Sequence, residues 1–232
     1  MRDRVEGRVG GAAAPARCAV VLPCKDEGPA LPGVLARLPA GMRAIVVDNG
    51  SVDDTAEVAR RLGATVVHEA APGYGAAVHA GVLAATAPLL GVIDGDGSLD
   101  PGDLVRLADL VESGEATMAV GRRQPTDTRA WPWHARYGNQ LVCARVRQVT
   151  GLPVHDIAPI RVCRTRDLLD LGVEDRRFGY PLELLLRAGR AGWTVIEVDV
   201  AYARRAEGTR SKVSGSVRGT VRAMRDFAAV LS

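Results

Sequence analysis

Short apolar runs alternate along this chain with stretches of helical character, and that alternation is what most limits its fold. Strands separated by helices pair in parallel, with the helices covering the sheet. Cys18–Leu22 reads as the first strand, stopped by Pro23. Ala44–Val47 reads as the second, ending on Asp48. Ser51 and Asp54 resemble a capping box, a carboxylate three residues after a hydroxyl. The helix they open runs to Arg61, before the stop at Gly63. Thr65–His68 is a third strand, and a small-residue helix follows from about Ala76 to Ala85. Leu89–Ile93 is wholly apolar, as a strand covered on both faces should be, and it delivers Asp94. Asp100 and Pro101 open the next helix, and Ala116–Val120 is a fifth strand.

The second half is more basic. Residues 122–133 read as a long polar loop, and a basic helix is expected over His134–Val149. Ile157–Cys163 reads as a strand and Pro181–Ala191 as a helix. Alternation in Trp193–Tyr202 predicts a half-exposed strand. Residues 204–215 are expected to be a mobile basic loop, and 216–231 an amphipathic C-terminal helix. The expected organisation is a disordered tail over 1–16 and a single domain over 17–232, long enough for a sizeable core.

Composition excludes several classes. With 47% apolar and 25% charged residues the balance is that of an ordinary globular protein. A net charge of +3 is small for a general nucleic-acid binder, so no nucleic-acid partner is expected. Four cysteines without C-x-x-C spacing argue against zinc and for a reducing cytoplasm. No run approaches 18 apolar residues, so no transmembrane helix is expected, and the first residues lack a secretory core. Trp131, Trp133 and the last helix leave room for peripheral contact with the inner face of a membrane. Packing of that helix on the domain weighs equally, and a homo-oligomer stays open.

Ligands of open α/β sheets bind at the carboxyl ends of strands. Three such ends carry acids: Asp26 and Glu27, then Asp48, then Asp94 and Asp96. With only Gly95 between them, Asp94 and Asp96 can turn toward one point. Mg²⁺ takes one or two carboxylates plus substrate phosphate oxygens, which makes the pair a candidate metal and diphosphate site. Acid-x-acid is common by chance, but a preceding apolar strand makes it a fair signal.

The order and spacing of VVLPCKDE, VVDNGSVDDT, PGYGAAVHAG and VIDGDGSLDP resemble the inverting family 2 glycosyltransferases. GRR, RYGN, VHDIAPIR, FGYPLELLLRAGRAGW and RSKVSG resemble more narrowly the polyprenyl-phosphate sugar synthases of the dolichyl-phosphate mannose synthase type. The resemblance covers about residues 17–215. It implies a GT-A fold, a Rossmann-like α/β sandwich with a mostly parallel central sheet and helices on both faces. It also implies inverting, metal-dependent hexosyl transfer, with Mg²⁺ or Mn²⁺, from a GDP- or UDP-sugar to a polyprenyl phosphate.

By the same resemblance, Pro23 and Glu27 would contact the nucleoside and Asp48 the base or ribose. Gly73, Tyr74 and Gly75 would form a turn beside the nucleotide. Asp94, Gly95 and Asp96 would hold metal and diphosphate, with Asp94 and Asp96 as the metal ligands. Asn49, and Gly97 with Ser98, depart from the family pattern. An acceptor phosphate is already ionised and needs cations rather than a strong base. Arg123, Arg136, Arg210 and Lys212 are the candidates, with Arg210, Ser211 and Lys212 forming a loop that closes over acceptor and diphosphate. Asp96, Asp156, Arg136 and Lys212 are the expected catalytic residues. Asp156 would be a general base toward a soluble acceptor, or would position Arg161 or the sugar beside a phosphate acceptor. Glu183 would face the sugar or merely favour a helix N-terminus. The four histidines receive no role. Two rivals remain: a transferase for a soluble or natural-product acceptor, and a non-catalytic nucleotide-binding module.

Overall fold

A computed structural model describes residues 16–127 and 130–209. Residues 1–15 of the tail expected over 1–16, the basic residues Arg210, Ser211 and Lys212, and the C-terminal helix lie outside the described residues, whereas Ala16 is partly buried against the core.

Seven strands form one sheet: β1 (Cys18–Cys24), β2 (Met42–Asp48), β3 (Thr65–His68), β4 (Leu89–Val92), β5 (Met118–Pro125), β6 (Arg161–Arg164) and β7 (Val195–Tyr202). Between them run α1 (Leu31–Ala36), α2 (Thr55–Arg61), α3 (Tyr74–Ala84), α4 (Asp103–Glu112), α5 (Trp133–Thr150), α6 (Thr165–Asp170) and α7 (Tyr180–Arg190). The strand order is β3-β2-β1-β4-β6-β5-β7. Only β6 is reversed, antiparallel to both β4 and β5. Six strands therefore point their carboxyl ends to one edge, and β6 contributes its amino end to the same edge.

Alternate side chains of each central strand enter opposite cores. Cys18, Val20 and Leu22 pack with Leu104, Leu107 and Val111 of α4. Ala19 and Val21 pack with Val78 and Val82 of α3 and with Leu182 and Leu185 of α7. Burial on both faces explains why β1 and β4 are continuously apolar. Gly81 lets α3 approach closely, because a Cβ there would stand 2.4 Å from a Val21 methyl.

Four expectations need correction. Pro23 does not stop β1, which pairs with β2 through Cys24. Pairing with β4 ends earlier, at Val21, so the missing N–H of Pro23 faces no ladder partner. Ser51 and Asp54 do not form a capping box: the Asp54 side chain at the N-cap makes no capping bond, and it is Asp53 Oδ1 that accepts the Thr55 N–H at 3.0 Å. Ser51 Oγ instead accepts the Asp26 N–H at 3.0 Å, clipping the loops after β1 and β2 together. Residues 122–125, read as loop, extend β5 along β7. The strand expected over Ile157–Cys163 is confined to Arg161–Arg164. Ala158 has a left-handed φ of 61°, and Asn139 engages the preceding backbone, accepting from Ile157 N–H and donating to His155 C=O.

Candidate active site

The carboxyl edge of the sheet collects groups of opposite charge. β1, β2 and β4 bring Glu27, Asp48, Asp94 and Asp96, whereas β5, β6 and the chain after β7 bring Arg123, Arg161 and Arg205. Three buried side-chain polar atoms among the described residues have no hydrogen-bond partner, namely Glu27 Oε2, Ser98 Oγ and Arg161 Nε. All three belong to this edge. Buried polar atoms are normally paired, so their concentration here marks a place built for something besides the fold.

The turn after β4 is tightly specified. Asp96 is 1% exposed, and its Oδ1 accepts the Ser98 N–H at 2.9 Å. A Cβ on Gly95 would lie 2.5 Å from Cys24 Sγ and 2.8 Å from Glu27 Oε2, so only glycine fits over the Glu27 carboxylate. Burial, with the charges of Asp96 and Asp94, pushes the Glu27 carboxyl up to about 8. Burial and Asp96 likewise raise Asp94 to about 6, against the opposing pull of Arg205, Arg123 and Arg161. Such crowding of acids calls for a cation. No cluster of three or more His, Cys, Asp or Glu suited to a metal occurs among the described residues. Two carboxylates at one turn, leaving further positions to phosphate oxygens, suit Mg²⁺ or Mn²⁺, so the residues fit the implied metal.

Asp48 terminates β2 beside His68 of β3. Its Oδ1 accepts the Ser51 N–H at 3.0 Å, and its Oδ2 lies 3.2 Å from His68 Nδ1. Arg60 reaches the other ring nitrogen of His68. Gly73 and Gly75 have a packing reason of their own. Cβ atoms there would stand 2.1 and 2.5 Å from the carbonyl oxygens of Arg176 and Asp175. The Gly75 and Ala76 amides in the first turn of α3 donate to the carbonyls of Arg177 and Arg176, so these two are satisfied by the fold. Tyr74, between the two glycines, accepts a 3.1 Å hydrogen bond from Arg161.

Arg123 is the best-held cation of the site. It donates to Asp156 through Nε at 2.8 Å and Nη2 at 2.7 Å, and through its backbone N–H at 3.0 Å. Its guanidinium stacks 3.9 Å from the Trp131 ring, which meets Tyr202 edge-on. Asp156 is fully buried. Its N–H and that of His155 donate to Glu197 at 2.9 and 2.7 Å. With both oxygens committed to Arg123, Asp156 is not a free general base, and it positions Arg123 rather than Arg161. Glu183 accepts from the Glu174 and Asp175 amides and from Arg187, so it organises its own loop. Arg136 stands exposed on α5.

Sequence reasoning missed Arg205, Glu197 and His68 at this edge, and named Arg161 only as a group for Asp156 to position. The signal for Arg205 was present, since Arg204 and Arg205 lie two and three residues beyond a strand end on the ligand edge. Glu197 looked like the solvent face of a half-exposed strand, and only the return of the 155–156 loop makes it an acceptor.

A twisted, mostly parallel sheet with helices on both faces and an acid-x-acid turn after its central strand defines the GT-A class of nucleotide-diphospho-sugar transferases. The chain overlays on the crystal structure of glucosyl-3-phosphoglycerate synthase from Mycobacterium tuberculosis in complex with Mn²⁺, uridine diphosphate and glucosyl-3-phosphoglycerate. The TM-score is 0.72 at 20% identity, covering 93% of this chain and 78% of that one. Residues 19–170 match the model of glycosyl transferase family 2, and the chain belongs to that family of glycosyltransferases. It is 59% identical over 213 residues to an uncharacterised glycosyltransferase of M. tuberculosis, across 92% of this chain and 97% of the relative. It is 33% identical over 219 residues to polyprenol monophosphomannose synthase of Mycolicibacterium smegmatis, across 86% of this chain and 82% of the relative.

Proposed function

We propose that this glycosyltransferase moves a hexose from a GDP- or UDP-sugar to a polyprenyl phosphate, with inversion at the anomeric carbon. The observation that carries the reading is the meeting of carboxylates from β1, β2 and β4 with guanidiniums from β5, β6 and the chain after β7. A donor needs the first set for its ribose and metal-bound diphosphate. The acceptor phosphate and the donor diphosphate share the second set, because two anionic reactants must be brought together. The likeness to a polyprenol monophosphomannose synthase supports the same acceptor class.

In this reading Asp48 holds the ribose or base, with Glu27, Pro23 and the Gly73–Gly75 turn beside it. Asp94 and Asp96 would hold Mg²⁺ or Mn²⁺, which offsets charge on the departing diphosphate when bound. Arg123, fixed by Asp156 and Trp131, pairs with the acceptor phosphate. An oxygen of that phosphate attacks the anomeric carbon as the bond to the diphosphate breaks, and no general base is required. Trp133, Tyr137 and Leu141 stand exposed at successive turns of α5, with Arg136 and Arg145 exposed beside them. We assign this face to an anionic membrane surface, where a polyprenyl phosphate resides.

A soluble phosphorylated acceptor is the second reading, favoured by the structural likeness to a synthase crystallised with glucosyl-3-phosphoglycerate. A donor screen with Mn²⁺, offering a short polyprenyl phosphate and a water-soluble phosphorylated acceptor in parallel and read by mass spectrometry, separates the two. Sugar in the organic phase, lost in Asp96→Ala, is the expected outcome. Product only from water-soluble acceptors would replace the lipid reading with the second.

A further inference from the structure

After β7 the chain does not leave the site but crosses the Asp94-Gly95-Asp96 turn. Ala203 N–H donates to Ser98 C=O at 2.9 Å, and Ala206 N–H donates to Asp96 C=O at 2.9 Å. Ala206 also lies against Gly97, whose φ of 78° shapes the turn. Between those two backbone bonds, Arg205 Nη1 meets Asp96 Oδ2 at 2.7 Å. The other carboxylate oxygen is held by Ser98 N–H. Both oxygens of Asp96 are thus engaged. The Asp96 side chain is 1% exposed, whereas that of Arg205 is 29% exposed and reaches solvent.

A cation of the chain therefore occupies the carboxylate that the proposed function assigns to a metal. Oδ2 cannot serve a guanidinium and a divalent ion at full strength together. Displacing Arg205 strands a half-buried charge unless an anion is there to receive it. The diphosphate of a donor is such an anion, and a planar guanidinium can donate to two of its oxygens at once.

We propose that Arg205 belongs to the donor site as an exchangeable counter-cation: it neutralises Asp96 in the empty protein and moves to the diphosphate when metal and nucleotide bind. The consequence is that a divalent ion binds weakly alone and tightly with nucleotide, and by linkage the nucleotide binds tightly only with the ion. This rests on the reading of Asp94 and Asp96 as the metal and diphosphate pair.

The test is direct Mn²⁺ binding, measured by loss of the free-ion electron paramagnetic resonance signal, with and without UDP or GDP. Coupling between two ligands commonly amounts to about 5- to 150-fold in affinity. Arg205→Gln is expected to bind Mn²⁺ alone at least about five-fold more tightly than the unaltered protein, and to lose most of the enhancement by nucleotide, within that range of coupling. Arg205→Lys keeps the charge and is expected to keep the enhancement. Ala206→Pro removes the N–H donated to Asp96 and is expected to strengthen Mn²⁺ binding with every charge in place. Equal or weaker Mn²⁺ binding by Arg205→Gln and Ala206→Pro, both shown folded by circular dichroism, would overturn the exchange. If no form of the protein takes up Mn²⁺ even with nucleotide, the metal reading of Asp94 and Asp96 itself falls, which is a different result.

Discussion

Glu27 lies 6% exposed against Gly95, with one carboxylate oxygen lacking a partner. Its carboxyl rises from 4.5 to about 8 because burial and the neighbouring Asp96 and Asp94 disfavour the charged form. A raised folded pKa means that folding favours the protonated acid. The stability this confers is full below about 4.5 and is lost as pH rises through about 8. Glu27→Gln, in buffer with a chelator, should therefore melt higher than the parent at pH 8.5 and equally at about pH 4. Each kcal/mol relieved is worth roughly 2–4 °C in a chain of this length. A variant that keeps the parent's pH dependence would place the cause elsewhere. The sequence located Glu27 after the first strand, but its burial was not legible, because it depends on Gly95 arriving from β4.

Among elements of the second half, α5 and α7 were both read to within one residue at each end: α5, expected over His134–Val149, spans Trp133–Thr150. Its buried face is Asn139, Cys143 and Val146, and it carries no acidic residue along its whole length. The opposite face presents Trp133, 79% exposed, with Tyr137 and Leu141. If this face meets a membrane, Trp133→Ala with Tyr137→Ser should weaken partition onto anionic phosphatidylglycerol vesicles roughly tenfold, equivalent to about 1.4 kcal/mol. Sedimentation with vesicles measures it, and equal binding of the two proteins would remove α5 from the membrane. β6 was less legible. Its apolar run began at Ile157, but the left-handed Ala158 and the Asn139 bonds hold that backbone outside the sheet.

For the molecule as a whole, one sheet separates two cores. Leu107 of α4 packs in one and Leu185 of α7 in the other, both essentially inaccessible. Leu107→Ala and Leu185→Ala should each cost about 2–5 kcal/mol. Because the sheet stands between them, their effects should add within about 0.5 kcal/mol. Urea unfolding of the single and double variants checks this, and strong non-additivity would mean that the sheet transmits repacking from face to face.

The sequence by itself determined the alternation of strands and helices, the two-sided burial of β4, and the positions of Asp48, Asp94 and Asp96 at strand ends. These follow from local periodicity and from where apolar runs stop, so a linear reading finds them. It also placed Arg123 in a basic segment, without its partner. Tertiary structure alone decided that β6 enters reversed between β4 and β5, bringing buried Arg161 to the ligand edge. It decided that Asp156 holds Arg123, that Glu197 supports the 155–156 loop, and that Arg205 returns from β7 to Asp96. Those pairings join residues 33 to 109 positions apart. They exist because sheet order, which no local pattern encodes, makes distant strand ends into neighbours.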